Sequence, residues 1–302
     1  MNIINDVKQS FRQGSTLHRL IYLNLGLFLV VHLVRMVLML SGTLEFYDEI
    51  QRFLAVPSNL EVLARRPWTL FTYMFFHEGF IHILMNLLWL YWFGTIFIQE
   101  LGLKKLLSTY LIGGLAGGVL FVLFYNLFPV FEAVRPEAIA LGASASVMAV
   151  VIAIAVYRPE RRMHLVFIGP VKISYIAIAM FVLTSLVDFS VNTGGKIAHI
   201  GGALAGFIFA YYYRRGKDVT RGFDRMMDRV VTWFKPGTPH MRVSHKRSRP
   251  AREQKPPADD KAYKSEKANE QKEVDAILDK ISKGGYDSLS KKEKEILFKQ
   301  SK

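Results

Sequence analysis

The chain contains no cysteine. Disulfides and thiolate metal sites are excluded, and the absence says nothing further about compartment. Charge is scarce over the first two thirds: residues 1–213 hold 15 Lys+Arg and 11 Asp+Glu, a net of +4. Residues 214–302 hold 24 and 14, a net of +10, so most of the overall +14 belongs to a polar tail. A tail that directly follows a membrane helix meets anionic lipid headgroups more simply than it meets nucleic acid, and no nucleic-acid partner is expected. The zinc-protease spacing His-Glu-x-x-His is also missing. His77 and His82 stand five apart, which puts them off a shared helix face, so no metal and no cofactor is expected.

What is present is apolar. Of 302 residues 51% are hydrophobic, with 22 Phe, 13 Tyr and 4 Trp. Apolar runs near 20 residues recur, about the length that a hydrocarbon core of roughly 30 Å demands of a helix. Spans are predicted over 20–40, 81–98, 106–127, 142–157, 173–187 and 197–213. The first begins after Arg19 without a small-residue cleavage site, so it reads as a retained helix and not a removed signal peptide. Six spans place both termini on one side. Lys and Arg near the membrane number twelve on that side and five on the other, which predicts a multi-pass protein of the cell's inner (cytoplasmic) membrane with both termini cytoplasmic.

The organisation that follows is an N-terminal segment over 1–18, a membrane core over 19–215 and an amphipathic interfacial helix over 216–235. In the last of these, Phe223, Met226, Met227, Val230 and Val231 recur at helical spacing among Arg221, Arg225 and Arg229. Residues 236–265 are rich in Pro, Lys, Arg and Ser and are expected to be a disordered basic linker. Residues 266–302 read as a small cytosolic helical tail in which Ser290 and Glu293 form a capping box. A solvated tail with transient helices is the plain reading; a hairpin that binds a cytosolic partner is the other.

Chemistry concentrates at Gly142-Ala143-Ser144. The fourth span holds about 16 residues, or roughly 24 Å at 1.5 Å each, which is too short for the bilayer core. Its N-terminus should lie below the surface, at the floor of a water-accessible cavity. His199 opens the sixth span at a similar depth. Gly202 and Gly206 form a small-residue face, as do Gly142, Ala145, Ala149 and Ala153 on the fourth span. Two such faces let backbones approach closely enough for a Ser144–His199 contact. His82 and Asn86 share a helix face at i and i+4, and polar groups projecting into an apolar bundle are costly unless used. They suit an oxyanion hole beside the backbone N–H of Ser144. The acidic residue nearest His199 in sequence is Asp188, eleven positions earlier, so a Ser–His dyad is expected in place of a triad. Ser146 reads as packing.

These pieces in order resemble a rhomboid intramembrane serine protease of bacterial type, with a six-helix core and a C-terminal cytosolic extension; the likeness covers roughly 15–215. The carriers are Gly142-Ala143-Ser144, Ala198-His199-Ile200-Gly201-Gly202, the set His77, His82 and Asn86, and Pro67-Trp68. The resemblance implies an all-α membrane protein, a six-transmembrane-helix rhomboid-like bundle with a short fourth helix. It implies Ser144 as nucleophile, His199 as general base, His82 and Asn86 as oxyanion donors, and His77 and Trp68 as supports. The loop before the second span would be a membrane-embedded flap, and the substrates transmembrane segments of other proteins in the lipid bilayer. The family's usual glycine, tyrosine and arginine are replaced by Ala145, Met148 and Thr69. The alternative is a catalytically inactive rhomboid-like binder or chaperone, which would be expected to lack the serine or the histidine.

Overall fold

The computed structural model describes residues 14–187, 192–234 and 258–300. Two compact units divide at residue 236. In the first, α1 (Thr16–Leu40) leads into a loop region carrying α2 (Glu45–Leu54), β1 (Val56–Pro57), α3 (Leu60–Arg65) and α4 (Thr69–Thr72). The long helices α5 (Phe80–Leu101) and α6 (Leu103–Leu127) follow, separated only by Gly102, whose φ of 84° lets the chain reverse at once. After β2 (Ile139–Ala140) come α7 (Ser144–Tyr157), β3 (Arg162–Leu165), β4 (Gly169–Lys172), α8 (Ile173–Ser185), α9 (Thr193–Tyr213) and α10 (Arg221–Phe234).

The fold is the expected all-α membrane type. Among the described residues α1, α5 and α6 are long and apolar enough to cross a membrane, and α7 and α8 are shorter apolar helices. The glycine-rich α9 runs 21 residues. Length and composition therefore support three crossings outright, not the six expected. The small pairings β1–β2 and β3–β4, both antiparallel, were not expected.

The core is organised on α7. Its 14 residues extend about 21 Å, and all but Ser144, Ile152, Val156 and Tyr157 are buried. Glycines on two neighbours make this possible. A Cβ on Gly202 or Gly206 of α9 would stand 2.1 or 2.2 Å from the carbonyl oxygens of Ala145 and Ala149. From the other side, a Cβ on Gly113 of α6 would meet the Ala149 side chain at 2.1 Å, and one on Gly117 the Ala145 side chain at 2.5 Å. The small face predicted on the fourth span is thus used twice, once for each neighbour.

Polar contacts fix which helix ends lie together. Arg158 pairs with Glu100 at 2.7 Å, and Arg214 donates to the Val156 carbonyl at 3.0 Å. At this same end Lys105 bridges Asp218 at 2.6 Å and Asp224 at 2.5 Å, while Ser108 donates to the second Asp224 oxygen. The Asp218 carboxyl is pulled down in pKa: burial raises it, but the hydrogen bonds from Lys105 and Thr220 outweigh that effect. The segment read as an interfacial helix is therefore also pinned to protein. Phe223 and Met227 of α10 pack on the core, whereas Met226, Val230, Arg225 and Arg229 stay exposed.

The second unit holds α11 (Ala258–Gly284) and α12 (Lys291–Gln300). Most of the predicted linker (236–257 of 236–265) lies outside the described residues, as do residue 235 at the end of the predicted interfacial helix and residues 1–13 of the N-terminal segment. The linker's last part does not remain disordered: α11 starts at Ala258 because 258–283 contains neither Gly nor Pro and is rich in Ala, Lys and Glu. The capping box forms, with Ser290 N–H donating to Glu293 at 2.7 Å and Glu293 N–H to Ser290 Oγ at 3.4 Å. Lys280 and Ser290 hold the Glu293 carboxyl down to about 2.

Substituting Gly206 by Val should separate α7 from α9, because a backbone carbonyl cannot swing aside. We expect a loss at or above the usual ~1–3 kcal/mol of overpacking, seen as a large fall in the apparent Tm of the purified protein. Gly222→Val, where nothing lies within 4 Å, should change little and serves as the control.

Candidate functional site

Ser144 is the first residue of α7, so its N–H has no intrahelical acceptor, and its side chain is half-buried where its neighbours are buried. The turn that delivers it is built from glycine and one histidine. Gly142 has φ 115°, and a Cβ there would come within 2.7 Å of the His82 ring. Its N–H donates to the Tyr73 carbonyl at 2.9 Å. The next N–H, of Ala143, donates to His77 Nε2 at 3.3 Å, while His77 Nδ1 lies 3.3 Å from the Phe75 carbonyl. That pattern requires a neutral ring with its proton on Nδ1. Burial pushes the His77 pKa down to about 4, with His82 adding to the shift and the Phe75 carbonyl opposing it.

A cavity of about 290 Å³ opens beside this turn. Ser144, His199, His82 and Asn86 all line it, so the residues singled out in sequence meet in one place. Met148 lines it too, at the position where a tyrosine was the family expectation. Ser144 and His199 share no hydrogen bond in this state. Instead His199 Nδ1 lies 3.2 Å from the Thr184 carbonyl, which leaves Nε2 as the free ring nitrogen. Asn86 spends one amide N–H on the His82 carbonyl at 2.9 Å and keeps a second. Ser146 is fully buried, close to Gly114 of α6, and takes no part in the cavity.

The remaining supports act at a distance. Trp68 donates to the Phe53 carbonyl at 3.0 Å and Thr69 is buried with its hydroxyl on the Arg66 carbonyl at 2.7 Å, so both serve the loop between α1 and α5. That loop is tied to the segment before Ser144 by the pairs Val56–Ala140 and Pro57–Ile139 and by Ser58 N–H on the Ala138 carbonyl at 2.9 Å. Gly202 and Gly206 act through helix contact only, as described. Asp188 lies outside the described residues. Among the described residues no group of acidic, His or Cys side chains could hold a metal ion.

Two features escaped the sequence. The Thr184 carbonyl, which orients His199, is a backbone group with no sequence signature. Asn192 also lines the cavity; it caps α9 with φ 51° and accepts from Gly195 N–H at 3.2 Å. Its signal was legible, an Asn just before Thr193 at the start of an apolar helix.

Because the folded His77 titrates near 4 and a free histidine near about 6.5, the unfolded chain binds more protons between these values. The stability tied to neutral His77 is complete above pH 6.5 and is lost as pH falls towards 4. His77→Gln keeps an acceptor for Ala143 but cannot titrate. Its apparent Tm should fall less steeply than wild type between pH 7 and 4.5.

The Rhomboid domain family model matches residues 64–216, and a family of unknown function, DUF6576, matches 259–302. The chain is 28% identical over 159 residues to RHOMBOID-like protein 12, mitochondrial, of Arabidopsis thaliana, covering 49% of this chain and 47% of that one. It is 28% identical over 163 residues to Rhomboid protein 1, mitochondrial, of Saccharomyces cerevisiae, covering 53% and 45%. RHOMBOID-like protein 7 of Arabidopsis thaliana is 26% identical over 50% of this chain and 44% of its own. The chain thus spans about half the length of the curated relatives it matches. Two of these three are mitochondrial by name, which overturns the expected placement in a cell's inner (cytoplasmic) membrane. The distribution of Lys and Arg orients loops relative to one another; it does not say which membrane holds them. The Rhomboid match covers half the chain, 64–216, and takes in the Ser144 turn and the His199 helix: the protein belongs to the rhomboid family.

Proposed function

We propose that the protein is an intramembrane serine endopeptidase that cleaves transmembrane segments of other membrane proteins. The observation that carries this reading is the single cavity lined by Ser144, His199, His82 and Asn86, with Ser144 at a helix start. Ser144 Oγ attacks the substrate carbonyl carbon as its proton passes to His199 Nε2. The Thr184 carbonyl holds Nδ1–H and so keeps Nε2 facing the cavity. Negative charge then develops on the substrate oxygen. The free amide proton of Asn86, the His82 ring and the Ser144 N–H are its donors, at the helix end that favours negative charge. His199 returns its proton to the leaving nitrogen as the C–N bond breaks, leaving an ester on Ser144. A water molecule, deprotonated by His199, then attacks the ester and restores the Ser144 hydroxyl. Membership of a family whose members are generally serine proteases supports the same reading.

A fluorophosphonate should label the purified protein on Ser144, and Ser144→Ala should abolish both the label and cleavage of a membrane substrate. Cleavage persisting in the alanine variant sinks the assignment. His199→Ala should lower kcat/KM by at least about 1,000-fold. Asn86→Ala should lower kcat by about 100- to 1,000-fold, the usual cost of losing an oxyanion donor.

A further inference from the structure

The hairpin β3–β4 joins α7 to α8 and closes on an apolar loop. Leu165 pairs with Gly169, so Val166, Phe167 and Ile168 form a three-residue closure. Gly169, at φ 87°, supplies the turn that such a closure needs, and Ile168 N–H donates to the Leu165 carbonyl at 3.3 Å. The three closing residues include none of the polar types that turns favour. Val166, Phe167 and Ile168 are 91%, 98% and 74% exposed, and among the described residues no other large apolar side chain is as exposed as the first two. Below the loop the hairpin has two faces. Met163, Leu165 and Val171 pack on the bundle, whereas Arg162 and His164 are exposed.

Three observations bear on what covers the loop. The first is its level. Tyr157 ends α7 with its ring 6.0 Å from that of Tyr213, which ends α9, and Tyr175 in the first turn of α8 is exposed. Tyrosines gather in this way at a membrane–water boundary. From there β4 runs directly into α8, whose exposed Ile178, Val182 and Leu183 give it an apolar outer face. The second is charge. Residues 158–172 carry Arg158, Arg161, Arg162 and Lys172 against one acid, Glu160. Lys172 pairs with Glu160 at 2.7 Å and Arg158 with Glu100 at 2.7 Å, while Arg162 makes no ion pair among the described residues. The third is size. Three side chains offer well below the ~800 Å² per partner of a standard protein interface.

We propose that the bilayer interface beside α8 covers this loop: Val166, Phe167 and Ile168 are inserted among the lipid chains, and Arg162 meets the phosphate of an anionic phospholipid headgroup. An apolar tip above a basic base matches the layering of that interface, apolar below and negatively charged at the surface. The inference goes beyond the protease reading and does not depend on it, since nothing in it requires Ser144 to react.

The chain has no cysteine, so a single introduced thiol can be labelled selectively. The full chain carrying Phe167→Cys or His164→Cys receives the same nitroxide label and is reconstituted in vesicles of phosphatidylcholine and phosphatidylglycerol. Collisions with oxygen, which partitions into lipid, are compared with collisions with a water-soluble nickel chelate. The label at 167 should lie about 5–10 Å below the headgroup boundary, and the label at 164 should stay open to the chelate. Adding Arg162→Gln should move the label at 167 towards water; an unmoved label overturns the headgroup contact. A label at 167 as open to the chelate as that at 164 overturns the insertion. So does a label shielded from both reagents, and sharpening of its spectrum on dilution with unlabelled chain would then name a second copy as the cover.

Discussion

Everything in this protein depends on how closely three backbones approach at α7. Two glycines of α6 and two of α9 stand where any side chain would strike Ala145 or Ala149. In lipid there is no hydrophobic force to press helices together, so close contact must come from small residues and dispersion. Packing on both flanks holds a 14-residue helix that is too short to cross the hydrocarbon core alone. Its N-terminus is thereby fixed inside the protein, and with it Ser144. The same contact with α9 brings His199 to the cavity, since His199 lies about one turn before Gly202 and two turns before Gly206 on that helix.

The turn before Ser144 is the second element of the arrangement. Two consecutive N–H groups, of Gly142 and Ala143, are taken by the Tyr73 carbonyl and the His77 ring. Both acceptors come from the short segment between α4 and α5. The loop that contains that segment is joined again to 138–140 through β1–β2. A change in the loop is therefore transmitted to the turn before Ser144 through backbone hydrogen bonds, which tolerate little displacement.

Much of this was legible in the sequence, because glycine, serine, histidine and asparagine in an apolar stretch are each expensive and so each informative. The glycine faces and the placing of Ser144, His82, Asn86 and His199 around one cavity followed from spacing. What was not legible depends on groups that every residue carries or on distant pairing. The Thr184 and Tyr73 carbonyls have no side-chain signature. The two-residue pairing β1–β2 is too short for a period. The basic helix α10 showed its amphipathic pattern, but that pattern could not reveal that Asp218 and Asp224 would find Lys105 more than a hundred residues away. Orientation relative to a named membrane was beyond the charge pattern altogether.

The use of a carbonyl to orient His199 has a physical reason. A carboxylate beside the ring would stabilise an imidazolium more strongly, but an ionised acid at this depth must first be stripped of water, at several kcal/mol after relaxation. The Thr184 carbonyl sits in the last turn of α8, which ends at Ser185. Carbonyls in the last turn of a helix have no intrahelical donor, so this acceptor is free to bind the ring and its own need for a partner is met by doing so. It lies, moreover, at the negative end of the α8 dipole, which favours a developing positive charge on the imidazole. The bundle thus places a partial negative charge behind His199 and a helix N-terminus behind Ser144. The two helix ends have opposite polarity and face one cavity; under the proposed mechanism they supply, with no acidic side chain lining that cavity among the described residues, the field that charge separation between the two side chains requires.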